Sequence, residues 1–245
     1  MTRRVALINN GKQYAGPALA REFASRGHDI VLAMPADGLV AELEALGATV
    51  EVVDGKIDIS NAGDAQRLVD AGIARFGRID TAVMFSGQII IGRFLNSTID
   101  QLHNIVHTCL DAPYEFLKAV VPPMVNQGDG QVLVITSAAG ARPTPGAPLY
   151  SSVRAGATMM TKNVADEVAS TGVQVNACGT NFMDFPEFRK AAGADDPERR
   201  AFIESQVPMG RLGTMEEFAA FCMTFLDGTS RFTTGQYISY AGGWA

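Results

Sequence analysis

Tyr150 and Arg154 stand four residues apart in the stretch SAAGARPTPGAPLYSSVRAGA (137–157), and Ser137 opens that stretch thirteen residues before the tyrosine. Residues four apart on a helix share a face, so a phenol and a guanidinium are brought together. Tyrosine, with an ordinary pKa of about 10, is a poor base at neutral pH. A permanent cation beside it favours the tyrosinate, as does a place in a helix's first turn. Arginine supplies that charge reliably because it does not deprotonate in proteins. The pair can therefore take a proton from a substrate hydroxyl, with Tyr150 as general base and Arg154 as its activator. The bland reading makes Arg154 a surface ion-pair former and Ser137 a strand-end turn residue.

Short β-branched runs alternate with longer helical patterns along the whole chain. Strands are expected at 4–9, 29–33, 49–53, 80–85 and 131–136, then in GVQVNAC (172–178) and GQYISYAGG (235–243). Helices are expected over 15–26, 37–46 and into 76, each followed by a glycine. A long helix opens at Thr98 with a Thr-x-x-Gln capping box and bends at Pro113. Another runs over 148–170 and carries Tyr150 in its first turn. The stretch 183–209 reads as an insertion with one helix start, where Asp196 caps and Pro197 takes the first helical position. Thr214 and Glu217 form a further capping box.

Such alternation, with near-continuous apolar strands, predicts one α/β domain over 1–245. Its architecture is a Rossmann-like, doubly wound parallel sheet of about seven strands with helices on both faces. Ligands in these sheets bind beyond the carboxyl ends of the strands. That rim collects residues 9–16, 85–88, Ser137 and 178–182.

A net charge of −6 over 245 residues argues against nucleic acid as the main partner, since phosphate contacts need clustered Lys and Arg. Cys109, Cys178 and Cys222 lack C-x-x-C spacing and read as small buried hydrophobes in a reducing compartment. His103 and His107 lie four apart, but a plain helix face is the expected reading and no metal site is assigned. No signal peptide or membrane span is legible, so the cytoplasm is expected.

The S-x12-Y-x3-R pattern, with CLDAPYEFLKAVVPPM (109–124), RLGTMEE (211–217) and TGQYISYAGG (234–243), resembles the short-chain dehydrogenase/reductase superfamily over nearly the whole chain. Three departures bear on function. In that superfamily a glycine-rich turn after the first strand admits the pyrophosphate of a nicotinamide cofactor. Here the turn reads NNGKQYAG (9–16), with Asn10 and Tyr14 at two glycine positions and only Gly16 kept. The second strand ends LAMPAD (32–37), where Asp37 reads as a helix cap more readily than as a ribose ligand. Arg154 replaces the lysine that would hold the nicotinamide ribose.

S-x12-Y-x3-R with an aromatic in the first turn resembles the halohydrin dehalogenases, a branch of the fold that uses no nicotinamide. The turn N-x4-Y-x-G and the loop CGTNFMDFPEF (178–188) resemble their nucleotide-loop replacement and halide loop. The resemblance implies closure of vicinal halohydrins to epoxides with release of halide. It also implies ring opening by azide, cyanide or nitrite, no cofactor, and a homotetramer built on the 148–170 helix and its predecessor. Ser137 is then the hydroxyl that binds the substrate oxygen. Tyr14, Asn181, Phe182 and Met183 line the halide, the last two through successive backbone N–H groups. Gln88, Ile89, Thr144 and Phe185 line the substrate. The alternative for the aromatics is a plug in an unused cofactor cavity. The alternatives for function are a nicotinamide-dependent oxidoreductase with a degenerate turn, or a non-catalytic sensor.

Overall fold

The computed structural model describes residues 3–245. Seven parallel strands form one sheet in the order β3-β2-β1-β4-β5-β6-β7. They are β1 (Arg4–Ile8), β2 (His28–Ala33), β3 (Val50–Val53), β4 (Thr81–Phe85), β5 (Gly130–Ser137), β6 (Val173–Thr180) and β7 (Tyr237–Tyr240). The order reverses between β1 and β4, so a switch-point crevice opens at the carboxyl ends of those two strands.

Alternation along each strand builds two cores. Leu7, Val31, Met84, Val134 and Val175 face one way, against α3 (Asp64–Phe76), α5 (Ala112–Gln127) and α6 (Pro148–Val168). Ile8, Ile30, Leu32, Val83 and Ile135 face the other, against α1 (Gly16–Ser25), α2 (Leu39–Ala45) and α9 (Met215–Leu226). Both faces are apolar because helices cover both, which is why the strands read as unbroken hydrophobic runs. The three cysteines are free and buried, as small hydrophobes would be, and burial pushes the Cys178 thiol up to about 12.

Both capping boxes form: Thr98 with Gln101 opens α4 (Ile99–Val106), and Thr214 with Glu217 opens α9. Two local expectations need correction, and a third gains detail. The cap of α2 is Gly38 in the left-handed region, not Asp37. The long helix meets Pro113 with a local change of winding. It widens one turn earlier into a π-helical segment, His107–Asp111. A proline ring crowds the carbonyl four residues back, here that of Cys109, and the wider turn relieves the clash. The 183–209 stretch holds two helices, α7 (Pro186–Ala192) and α8 (Pro197–Glu204). Asp196 does cap the second, accepting from the Arg199 N–H at 2.8 Å. The first carries its own signal in FPEF, with Pro186 at the first helical position, Glu187 in the first turn and Gly193 as a left-handed stop.

Candidate active site

Two polar side chains shape the crevice floor. Asn9 at the end of β1 clips the end of β4, donating to the Phe85 carbonyl at 2.9 Å and accepting from the Phe85 N–H at 3.1 Å. Asn10 then folds its Oδ1 back onto the turn, where it accepts from the N–H groups of Lys12 and Gln13, both at 2.9 Å. Gly16 must be glycine: a Cβ there would lie 2.0 Å from the Asn10 carbonyl oxygen.

Tyr14 follows with φ of 49°, in the left-handed region. This backbone aims its side chain into the crevice. The ring packs edge-on against Phe85 at 5.5 Å and Phe185 at 4.9 Å between centroids. Its hydroxyl meets Thr180 Oγ1, at the end of β6, at 2.6 Å. Burial pushes the phenol's pKa well above its ordinary value, so it stays neutral and hydrogen-bonded at any working pH.

These contacts test whether the site fits a dinucleotide. An extended dinucleotide must cross the carboxyl edge and receive N–H donors from the first turn. Here Asn10 already engages the Lys12 and Gln13 N–H groups, and Tyr14 spans from that turn to β6. The residues present do not fit a nicotinamide dinucleotide in the arrangement they adopt.

Tyr150 sits in the first turn of α6, which starts with Pro148 at its first position. Tyr150 and Arg154 are 9% and 4% exposed, so Arg154 is no surface ion-pair former. The guanidinium carbon lies 5.1 Å from the centre of the Tyr150 ring. Arg154 Nη2 donates to the Ser86 carbonyl just after β4, while Nε and Nη1 have no hydrogen-bond partner among the described residues. Burial works against its charge, but Tyr150 and Cys109 favour the cation, and the net direction is upward. Gly87 makes the approach possible. With φ of +94°, a Cβ there would lie 2.3 Å from Cys109 Sγ and 2.8 Å from Arg154 Nη2.

Ser137 ends β5. Its Oγ accepts from the Ala139 N–H at 3.2 Å and donates to the Thr180 carbonyl at 3.4 Å. The turn it opens packs onto the start of α6: a Cβ at Gly140 would lie 2.9 Å from the Ala155 nitrogen. Tyr150 joins Cys109, Ala147, Val153 and Ile90 in a small apolar cluster on that side.

The four residues expected around a halide do not converge on one point. Tyr14 and Met183 share a core cluster with Phe185. Phe182 turns away, edge-on to Trp244 at 5.7 Å and packed with Ile203 and Leu212. A cavity of about 310 Å³ beyond β6 and β7 is lined by Asn181, Phe182 and Met183, with Met209, Arg211 and Tyr240, and not by Tyr14. The pair of successive free N–H groups is also corrected. Phe182, at φ of 55°, donates its N–H to the Asn181 side chain at 3.0 Å. That bond occupies one arm of the expected anion cradle.

Of the expected substrate wall, Gln88 and Ile89 are exposed beyond β4. Thr144 stands across from them in the loop before α6, its hydroxyl donating to the Ala139 carbonyl at 3.3 Å. The two loops are tied by the Gly92 N–H donating to the Gly146 carbonyl at 2.7 Å. Phe185 lies deeper, on Tyr14. Thr180, Ser86, Gly87 and Cys109 belong to the site but carry no motif of their own. Elsewhere, His107 lies 3.3 Å from Asp111, and no helix among the described residues is long and apolar enough to cross a membrane.

A family model described as enoyl-(acyl carrier protein) reductase matches residues 15–245. The chain is 28% identical over 246 residues to 2,5-dichloro-2,5-cyclohexadiene-1,4-diol dehydrogenase LinX of Sphingobium indicum, covering 99% of this chain and 96% of that one. It is 31% identical over 252 residues to 3-oxoacyl-[acyl-carrier-protein] reductase of Synechocystis sp., covering 99% and 97%. Among solved structures, "ElxO with NADP Bound" superposes with a TM-score of 0.88 at 21% identity, covering 99% of each chain. One titled "Dehalogenation enzyme" gives 0.86 at 24% identity, covering 100% of this chain and 99% of the other.

Proposed function

The chain belongs to the short-chain dehydrogenase/reductase superfamily, and on that footing we propose that it is a cofactor-independent halohydrin dehalogenase. One observation carries the reading: the Tyr14 ring, latched to Thr180 at 2.6 Å, stands where a dinucleotide would cross the carboxyl edge. A vicinal halohydrin needs no redox partner. Tyr150 takes the hydroxyl proton, the oxygen displaces halide from the adjacent carbon, and the products are an epoxide, a halide ion and a proton held on the enzyme.

The chain's own groups suit those steps. Arg154 places a fixed, buried positive charge beside Tyr150, anchored on Ser86. The Ser137 hydroxyl reaches the Thr180 carbonyl only at 3.4 Å, so turning it toward a substrate oxygen gives up a long bond. The Tyr14, Phe85 and Phe185 rings, with their partly positive edges, offer one wall to a leaving halide. By microscopic reversibility the same site opens epoxides with small anions such as azide, cyanide or nitrite. We place the homotetramer interface on α5 and α6, where Tyr114 and Met159 are exposed. A stable monomer in sedimentation at micromolar concentration contradicts that placement.

The relatives' names favour a second reading, a nicotinamide-dependent oxidoreductase, since LinX is called a dehydrogenase and the Synechocystis protein a reductase. It requires Tyr14 to leave the crevice and Asn10 to release the turn. Bromide release from a vicinal bromohydrin without nicotinamide, set beside direct titration with NADH and NADPH, separates the two readings.

A further inference from the structure

Beyond β7 the chain turns back through Gly242 and Gly243, both at positive φ, and Gly242 has no room for a Cβ, which would lie 2.6 Å from Val207 Cγ1. The reversal delivers Trp244 over the carboxyl edge, where it meets both loops that flank the site. On one side the Arg142 guanidinium, between Ser137 and Tyr150 in sequence, stacks 4.9 Å from the indole centre. Arg142 Nη1 also donates to the Trp244 carbonyl at 2.8 Å. On the other side the indole meets the Phe182 ring edge-on at 5.7 Å. Phe182 itself is held at φ of 55°, a conformation that a phenylalanine adopts only under constraint.

We propose that Trp244 is a positioning residue. It clamps the loop before α6 to the loop after β6, so that the substrate meets a mouth already set to width. The inference rests on the dehalogenase reading for its kinetic consequence, though the clamp itself does not. Tyr150 and Arg154 are held by the buried start of α6 and by Ser86, outside the clamp. Loosening the clamp therefore leaves the chemistry in place and adds loop ordering to the cost of binding substrate.

In bromide release from a vicinal bromohydrin, Trp244→Ala is expected to raise KM about tenfold, the scale of ordering one or two side chains, with kcat nearly unchanged. Trp244→Phe keeps an aromatic face for Arg142 and Phe182 and is expected to recover most of the loss. A second arm needs no turnover. Trp244 is the only tryptophan in the sequence, so quenching of its fluorescence by acrylamide reports the clamp alone, and Arg142→Ala is expected to make it more quenchable. Unchanged KM in Trp244→Ala overturns the proposal. So does an equal fall in kcat and kcat/KM that Trp244→Phe does not repair, or unchanged quenching in Arg142→Ala. A wild type that releases no bromide overturns the dehalogenase reading and the kinetic half of this inference, while the quenching comparison still decides the clamp.

Discussion

The phenol of Tyr14 and the hydroxyl of Thr180 lie 2.6 Å apart, joining the turn after β1 to the end of β6 across the intervening ends of β4 and β5. A glycine at position 14 would leave that span open. With tyrosine, the crevice is cut short by an aromatic wall that Phe85 and Phe185 brace from either side.

That wall can be weakened in steps. Tyr14→Phe removes only the latch and is expected to cost about 1 kcal/mol of stability. Tyr14→Ala removes a buried ring and is expected to cost on the order of 3 kcal/mol. If the ring also lines the halide, bromide inhibits epoxide formation in the wild type and does so more weakly in Tyr14→Ala, assayed well below its melting temperature. An inhibition constant that stays the same makes the ring a plug and nothing more.

Tyr150→Phe is expected to keep the fold and lose turnover by about 10²-fold or more, as loss of a general base does. Turnover near that of the wild type removes Tyr150 from the role of base.

Arg154→Lys keeps the charge but not the planar fork that holds the Ser86 carbonyl under Gly87. Turnover is expected to fall about tenfold or more, part of the contribution that acid–base machinery makes. Restoring the lysine is not expected to restore nicotinamide binding, because Tyr14 and Asn10 are unchanged. Tight NADH binding by this variant contradicts the fit argument.

The fold was legible because the inner strands are apolar on both faces and most helices are followed by a glycine. The pairing of Tyr150 with Arg154 was legible because a four-residue spacing on a helix has one geometric meaning. What escaped was tertiary. The widened turn before Pro113 answers a clash that a linear pattern does not locate. Phe182 and Tyr14 are both aromatics of the same rim in the sequence, yet the Phe182 backbone has a positive φ and its ring meets Trp244 instead. Thr180 carries no motif of its own within CGTNFMDFPEF, and its partner 166 positions away is visible only through the fold. The α7 start in FPEF is a weaker signal than the Asp-Pro start that follows it, because Phe185 offers no capping side chain.

His28 predicts an acid-sensitive stability. It is 2% exposed at the start of β2, with no hydrogen-bond partner on either ring nitrogen among the described residues. Burial, then the charge of Arg4, lowers its pKa below the ordinary 6.5, while the charges of Asp80 and Asp227 act the other way more weakly. The unfolded chain therefore takes up this proton first. The contribution is fully present above about pH 6.5 and is lost as pH falls from there toward the folded-state pKa. His28→Leu is expected to show a smaller drop in melting temperature than the wild type between pH 8 and pH 5. Parallel drops in the two proteins contradict this assignment.

In the proposed function Tyr14 closes the crevice that a dinucleotide would cross, and Ser137, Tyr150 and Arg154 serve proton chemistry. The most direct measurement is bromide release from a vicinal bromohydrin by the purified protein with no nicotinamide present, alongside calorimetric titration with NADH and NADPH. The account predicts stoichiometric bromide and epoxide, and no heat of cofactor binding. Saturable binding of either dinucleotide, with oxidation or reduction of an alcohol or ketone and no bromide released, would contradict it.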